Sequence, residues 1–365
     1  MALVFKLLEK DLIEKVLQFF NSERGIKQNS LKRTRREFEW LFLEGNYERA
    51  IYAVALDSDS DEIIGIHAGI FIPMASCEGK KTLTMKGEDT LISFDRVIRY
   101  GRRDILREIY SFLENYAVKK NVSFLWGFSP AKAAFKRTGC QVSDPVLNSF
   151  LVLKPFDFYS QRIKLILPVT LKRKITIFSF AVINYLIQRT RSISGSHFNC
   201  RKVDFSDVHF EKLLEFIPKD VYSLWLDKEF LTWRIQRNPS DVKYCFCEFK
   251  NNENEIIAYL IYSEKSDRTI YIEQFLFNGL LSRAEKLDAV NTAKRFFRGT
   301  DAVMIRAMGF SHNLINIEEV SLLKRTGFHF FASKEPSYFL IKDLSGSGIS
   351  LEKIYVSRLN LQGVV

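Results

Sequence analysis

The chain has 365 residues, a formal net charge of +11 and a hydrophobic fraction of 47%, and 14% of its residues are aromatic. This composition excludes a disordered chain, and the length allows two domains of ordinary size, each with its own core. The positive charge predicts an anionic partner, for which nucleic acid, a phosphorylated cofactor and an anionic membrane surface all qualify.

The five cysteines show neither a disulfide framework nor a metal-binding pattern. Their number is odd and no Cys-x-x-Cys pair occurs. We therefore expect free thiols in a reducing cytoplasm and no metal site. Acidic residues appear by Glu9 and Asp11, which argues against a secretory signal at the N-terminus.

The first half of the chain predicts a mixture of strands and helices. Hydrophobic periodicity predicts a strand at Leu3–Leu8 and a helix around Asp11–Phe20. A basic turn, Gly101-Arg-Arg103, then leads into an amphipathic helix that ends at Lys119. Further strands are predicted at Ala50–Leu56, Ile63–Met74, Thr82–Met85, Thr90–Ile98, Ser123–Trp126 and Ser149–Leu153, the last of which closes this half.

The second half repeats short segments of the first half in the same order. The matches are Glu14–Phe19 with Glu211–Phe216, Trp40 with Trp233, Gly127–Ser129 with Gly309–Ser311, and Lys136–Gly139 with Lys324–Gly327. Their offsets lie between 182 and 197 residues. Several ordered matches at similar offsets indicate a tandem duplication of one α/β unit.

The segment between the halves has a different composition. Its apolar run Ile175–Ile187 is flanked by the basic residues Lys172–Lys174, Arg189 and Arg191. The run is too short to span a bilayer, which needs about 20 apolar residues. Two interpretations stay open: a helix packed across both halves, and peripheral contact with an anionic membrane through residues 172–191. The Gly-Ser-Gly segment at 346–348 predicts a loosely attached tail.

This order of elements resembles the GNAT acyltransferase superfamily. The similarity lies in the strand that breaks at a basic, Gly-containing turn into a helix, and in the Gly-Phe and Lys-Arg-Thr-Gly signals that follow. The resemblance implies an α+β fold of two tandem GNAT-like domains, each a mixed, largely antiparallel sheet flanked by helices. The implied units are 1–155, a basic and apolar helical linker at 156–195, a second domain at 196–345, and a tail at 346–365.

The resemblance also implies where the cofactor binds. The stretch Tyr100–Ile109 is similar to the family's pyrophosphate loop, but the signature positions fall on Gly101, Asp104 and Leu106, and all three differ from the family pattern. An aspartate at the central position brings a side chain and a negative charge toward an anion. The second half has Asn278-Gly-Leu-Leu-Ser282 at the equivalent place. The cofactor-binding candidates are Ile98, Arg99, Gly101, Arg102, Arg103 and Asp104, and the implied cofactor is acetyl-CoA or another acyl-CoA.

Direct transfer of an acyl group to an amine needs a base, an oxyanion donor and a proton for the leaving thiolate. Asp95, on the strand predicted before the loop, is the first candidate for the base. His67 is the second, and its ordinary alternative is a hydrogen-bonded core histidine. Glu273, on the corresponding strand of the second half, is the third and would line a substrate groove.

The function that the resemblance implies is an acyl-CoA-dependent N-acyltransferase. Its substrate would be a small-molecule or sugar amine, such as an amino sugar or a cell-envelope precursor. One alternative is a Fem-type transferase that takes its acyl group from aminoacyl-tRNA, which the degenerate loops and the positive charge favour. Another is a non-catalytic GNAT-like binding protein, which the loss of the signature in both halves favours. The expected location is the cytoplasm, with or without peripheral membrane contact.

Overall fold

In this computed structural model, the described residues are 2–28, 32–44, 48–101, 103–165, 174–179, 182–183, 186 and 198–361. The strands are β1 Leu3–Leu7, β2 Ile51–Asp57, β3 Ile63–Ala75, β4 Lys81–Ile92, β5 Phe124–Ser129, β6 Gln141–Pro145, β7 Leu147–Val152, β8 Asn199–Val203, β9 Ser223–Leu224, β10 Lys243–Lys250, β11 Ile256–Glu264, β12 Thr269–Phe277, β13 Met304–Gly309, β14 His329–Ala332 and β15 Tyr338–Asp343.

The helices alternate with these strands. They are α1 Ile13–Gln28, α2 Arg35–Phe38, α3 Phe94–Val97, α4 Ile105–Lys119, α5 Lys132–Arg137, α6 Pro155–Leu165, α7 Phe210–Glu215, α8 Lys228–Leu231, α9 Arg283–Arg298 and α10 Leu314–Arg325. Short 3₁₀ turns lie at Lys10–Leu12, Ile98–Tyr100, Phe205–Asp207, Leu351–Lys353 and Arg358–Asn360, and π turns at Glu39–Glu44 and Thr232–Gln236.

The strands form two sheets. The first has the order β1-β2-β3-β4-β5-β15-β6, with β9 beside β3, and the second has the order β14-β7-β13-β12-β11-β10-β8. Neighbouring strands are antiparallel except for β4 with β5 and β12 with β13, which are parallel. The predicted fold class, two mixed and largely antiparallel sheets flanked by helices, is confirmed.

The two halves exchange one strand each. β15, from the second half, lies between β5 and β6 in the first sheet, and β7, from the first half, lies between β13 and β14 in the second. The strand predicted at Ser149–Leu153 therefore does not close the first half. The sheets cross the predicted boundaries at 155 and 196, so neither half can complete its sheet alone.

A reciprocal tryptophan contact joins the halves. Trp40 and Trp233 lie on the two π turns, with ring centroids 5.4 Å apart. The indole of Trp40 donates to the carbonyl of Trp233 at 3.0 Å, and the indole of Trp233 donates to the carbonyl of Trp40 at 3.3 Å. The helices before these turns are both capped by a side chain, Thr34 in α2 and Asp227 in α8. Such mutual bonds are expected where duplicated units meet around a local twofold axis.

Within the described part of the tail, residues 349–360 are packed into the protein, and the expectation of a loose tail is wrong there. Five apolar side chains of the tail are 2% exposed or less: Ile349, Ile354, Tyr355, Val356 and Leu359. The amide of Asn313 donates to the carbonyl of Ile354, and that of Asn316 to the carbonyl of Val356. Composition did not reveal this because the flexible glycines lie before the buried residues.

The tryptophan contact generates a stability prediction. We expect Trp40→Ala and Trp233→Ala each to cost about 3–5 kcal/mol of the free energy of unfolding, because each removes a large buried ring. The double variant should cost less than the two single costs together, with a coupling of about 1 kcal/mol or more. Urea denaturation measures the free energy of unfolding of the wild type, the two single variants and the double variant. Trp225→Ala, at a half-buried tryptophan outside the pair, is the control, and strictly additive losses would contradict the contact.

Candidate active site

Each sheet has a gap beside its parallel strand pair. β4 and β5 pair over Met85–Gly87, and β12 and β13 pair over Thr269–Tyr271. Beyond these short ladders the strands continue without pairing, so their carboxyl ends separate. A gap at the carboxyl ends of parallel strands is a common place for a ligand in mixed sheets.

An acidic residue lies at the bulge beside both gaps. The ladders of β4 with β3 and of β12 with β11 each have a register shift, which indicates a β-bulge. The shift in β4 lies between Glu88 and Leu91, and the shift in β12 lies between Ile272 and Gln274. Asp89 is therefore the counterpart of Glu273, and Glu88 lies directly before it. The sequence analysis missed both acidic residues of β4, although their offsets of 185 and 184 residues from Glu273 fall within the repeat.

Glu273 lies in a buried, polar environment on β12. It is 4% exposed, and its carboxylate accepts a hydrogen bond from the Ser263 hydroxyl at 2.6 Å. The Arg358 side chain, from the tail, lies 3.4 Å from the same oxygen. A buried carboxylate with one cation and one hydroxyl keeps acceptor capacity free. Glu273 lies on β12, within the strand on which the sequence analysis placed it, and its role at a substrate groove stays a prediction.

A small cavity of about 40 Å³ is lined by Glu273 and by a second carboxyl group, that of Glu319. The lining residues belong to β12, β13, α9, α10 and the tail. Glu319 of α10 accepts a short hydrogen bond from the Tyr355 hydroxyl. Burial raises the pKa of Glu319 to about 8. Glu319 is therefore mostly protonated at neutral pH and can donate a proton, whereas a carboxyl group with an ordinary pKa cannot.

An amide without a partner points to a ligand or water in this cavity. Gln274 lines the cavity and is 2% exposed. Its carbonyl oxygen accepts from the Ser357 hydroxyl at 3.1 Å, while its Nε2 has no hydrogen-bond partner within the described part of the chain. Buried donors are rarely left unpaired in proteins, so the amide is available to a bound molecule.

The groove extends from the cavity to the loop between β12 and α9. A neighbouring space shares Phe275, Phe277, Glu319 and Leu322 with the cavity and continues along Asn278–Leu280. Two lysines line this space, Lys219 and Lys286, the latter paired with Glu318 at 3.1 Å.

The acidic residues at the bulge of the first half are paired with cations. Glu88 pairs with the buried Lys86, and the adjacent Asp89 pairs with the buried Arg33 and accepts from the Tyr52 hydroxyl at 3.2 Å. Arg234, buried between the halves, interacts electrostatically with both Glu88 and Glu273. Arg234 thus lies near the acidic residues of both gaps. Those of the first half also pair with Lys86 and Arg33.

The segment that carries Asp95 is not a strand. β4 ends at Ile92, and Phe94–Tyr100 form helix α3 and a 3₁₀ turn, which end at Gly101 with φ +67°. Asp95 is exposed in the first helical turn, and Ile98 is 77% exposed. The predicted strand Thr90–Ile98 is therefore wrong beyond Ile92, and Asp95 does not lie beside the parallel strands.

The predicted pyrophosphate turn is engaged in contacts within the protein. Arg99 pairs with Glu62 at 2.9 Å, and Arg103 pairs with Glu108. The Asp104 carboxylate accepts from the backbone N–H of Arg107 at 3.2 Å, so it caps α4 where an anion would otherwise bind. Arg102 lies outside the described residues. Cofactor binding at this turn remains a prediction.

His67 lies in the core of the first half. Its side chain is 1% exposed, its Nδ1 hydrogen-bonds the Thr90 hydroxyl at 2.8 Å, and its ring stacks on Tyr110 with centroids 4.9 Å apart. Burial lowers the pKa of His67 to about 4. This environment is that of a hydrogen-bonded core histidine, which was the alternative to a catalytic base.

Comparisons with known proteins agree with this architecture. No family model and no curated protein matches the chain. A probable N-acyltransferase of Enterococcus faecalis V583 is similar in structure, with a TM-score of 0.61 and 10% identity, over 94% of this chain and 73% of that chain. A tandem GNAT protein from the clavulanic acid biosynthesis pathway has a TM-score of 0.54 and 11% identity, over 94% and 98%. Saccharomyces cerevisiae N-myristoyltransferase with bound myristoyl-CoA has a TM-score of 0.53 and 9% identity, over 93% and 78%. The chain therefore has the tandem GNAT fold.

The buried histidine generates a prediction on pH and stability. The pKa of His67 is lower in the folded protein than its ordinary value of 6.5, so the unfolded chain binds the proton first. Stability should therefore fall as the pH drops from 6.5 to 4, by up to about 3 kcal/mol from this group. Urea unfolding at several pH values should show a flatter profile for His67→Gln. The exposed His209→Gln is the control, and equal slopes in all three proteins would contradict this assignment.

Proposed function

We propose that this tandem GNAT-fold protein is an acyl-CoA-dependent N-acyltransferase, and that the reaction takes place in the cavity of its second half. The observation that carries this proposal is the cavity itself. Glu273 and the Glu319–Tyr355 pair line this cavity together, beside β12 and β13. With Glu273 as the base and the protonated Glu319 as the acid, two carboxyl groups in one space would serve one reaction.

The acyl transfer would use these groups in sequence. Glu273 takes a proton from the acceptor amine, whose nitrogen attacks the thioester carbonyl carbon. The Gln274 Nε2, which lacks a partner in the described chain, donates to the resulting oxyanion. The carbon–sulfur bond then breaks, and Glu319 gives its proton to the thiolate. The products are an amide and free CoA, and solvent restores the two carboxyl groups.

The lining of the cavity supports an acyl donor. Phe275, Val290 and Leu323 form an apolar wall, and Glu273 and Arg358 add polar groups to the lining. An acyl chain would contact the apolar wall, and a polar amine would contact the polar groups. The sequence resemblance implies acetyl-CoA as the donor, and an amino sugar or a cell-envelope precursor as the acceptor. The apolar wall makes longer acyl-CoA molecules worth testing beside it.

The second half is favoured over the first as the donor site. In the first half, the Asp104 carboxylate already caps α4, where an anion would otherwise bind. In the second half, the groove from the cavity leads to the short loop after β12, beside Lys219 and Lys286. These lysines can meet the phosphates of CoA at the mouth of the groove.

Activity measurements test the proposed acid and base. With acetyl-CoA or a longer acyl-CoA and a panel of amines, we expect Glu273→Gln to lower kcat/KM by about 10²-fold or more, because a general base is removed. The wild-type rate should decline above pH of about 8, where Glu319 loses its proton. Glu319→Gln should lower the rate and abolish that decline. Glu255→Gln, an exposed glutamate, is the control. A large loss in Glu88→Gln with none in Glu273→Gln would move the reaction to the first half.

Calorimetric titration with acyl-CoA tests the donor site by comparing two double variants, each of which lacks two cationic side chains. We expect Lys219→Ala/Lys286→Ala to weaken acyl-CoA binding tenfold or more, which corresponds to about 1.4 kcal/mol. Arg99→Ala/Arg103→Ala, which removes the same charge beside α4, should leave the affinity within about twofold. Weaker binding by Arg99→Ala/Arg103→Ala, with unchanged binding by Lys219→Ala/Lys286→Ala, would instead assign the donor site to the predicted turn at 98–104. Absence of binding to every acyl-CoA would overturn the proposal, and retention on tRNA would then favour the aminoacyl-tRNA alternative.

A further inference from the structure

A cluster of apolar side chains lies exposed on the segment between the two halves. Between 44% and 63% of each of these side chains is exposed: Phe156, Ile175, Phe178, Ile183 and Leu186. We call this set the linker patch. Single exposed apolar residues are ordinary on protein surfaces, but several large ones in one segment mark an interaction site.

Local structure places this patch on the outside of the protein. Residues 174–179, 182–183 and 186 are helical. Ile175 and Phe178 are three residues apart, so they lie on the same side of their helical turn, while Ile177 points elsewhere and packs against a core cluster that contains Val152 and Met304. The Phe178 ring also contacts Tyr159 of α6, with centroids 5.5 Å apart. In its described part, the segment is thus anchored to the second sheet through Ile177 and exposes its other side, unlike a helix packed across both halves.

The same segment is rich in cations. Residues 158–195 contain seven Lys or Arg residues and no Asp or Glu, within a chain whose net charge is +11. Lys174, at the start of the helical turn 174–179, is exposed. Exposed apolar side chains in a segment with cations and without acids have the composition of an interfacial membrane-binding element.

We propose that the linker patch binds an anionic lipid surface, with Ile175, Phe178, Ile183 and Leu186 inserted among the acyl chains and the basic residues on the headgroups. Among the described residues, no helix has the length and hydropathy to cross a bilayer, so the contact would be peripheral. A second copy of this chain fits the patch less well, because a twofold contact would bring two acid-free basic segments together. A polyanion such as RNA would satisfy the cations but leave the apolar side chains in water.

Vesicle co-sedimentation of the full-length chain tests this proposal independently of acyl transfer. We expect the protein to sediment with vesicles of phosphatidylcholine and phosphatidylglycerol, and at least tenfold less with phosphatidylcholine alone. Binding should weaken as salt screens the headgroup charge. Ile175→Asp/Phe178→Asp should lose at least tenfold in affinity for the anionic vesicles. Val4→Asp/Val118→Asp, which alters equally exposed apolar side chains elsewhere, is the matched control and should bind as the wild type does.

Size-exclusion chromatography and unfolding midpoints complete the test. Both double variants should elute and unfold as the wild type does, because the altered side chains are exposed. Equal vesicle binding by Ile175→Asp/Phe178→Asp and the wild type would overturn the proposal. So would a wild-type dimer that this variant converts to a monomer, which would assign the patch to contact between copies. Binding to tRNA without binding to anionic vesicles would also overturn it.

Discussion

The reciprocal packing of Trp40 against Trp233 is the constraint around which the two halves are arranged. Each indole donates to the backbone carbonyl of the other, so both rings bury their polar atom as well as their apolar surface. The core cluster that contains both rings draws side chains from the two sheets. Because β7 and β15 are exchanged between the sheets, this contact also holds together two sheets that are each incomplete without the other half. Folding of one half therefore depends on the other.

The two halves share the same backbone arrangement but differ in the charged residues around the acidic side chain at the bulge. Both halves retain a parallel strand pair, a bulge on the strand before the loop and an acidic residue at that bulge. In the first half, Lys86 pairs with Glu88, and Arg33 pairs with the neighbouring Asp89. In the second half, Glu273 lines a cavity together with Glu319, whose pKa is raised to about 8 by burial. The backbone thus sets where a carboxylate lies, while the residues around it decide whether it can take part in chemistry.

The sequence predicted the duplicated α+β fold because repeats and hydrophobic periodicity are local signals. It placed Glu273 on a strand, as the structure does. It also placed Asp95 on a strand, whereas Asp95 lies in a helical turn that the apolar pattern of Phe94–Tyr100 did not distinguish from a strand. The exchange of β7 and β15 was not predictable, because it depends on pairing between residues far apart in the chain, such as Ser149 and Ala307. Tyr355 was missed for the same reason: its proximity to Glu319 arises only from the packing of the tail.

The tail connects the strand exchange to the candidate site. After β15 is fixed between β5 and β6 of the first sheet, the chain returns across the molecule and supplies Tyr355, Ser357 and Arg358 to the cavity of the second half. Tyr355 orients Glu319, and Arg358 lies beside Glu273. Both proposed catalytic carboxyl groups therefore depend on a segment whose position is set by the opposite sheet. Because that segment directly follows β15, which is paired in the first sheet, the first half helps to position the proposed site of the second half.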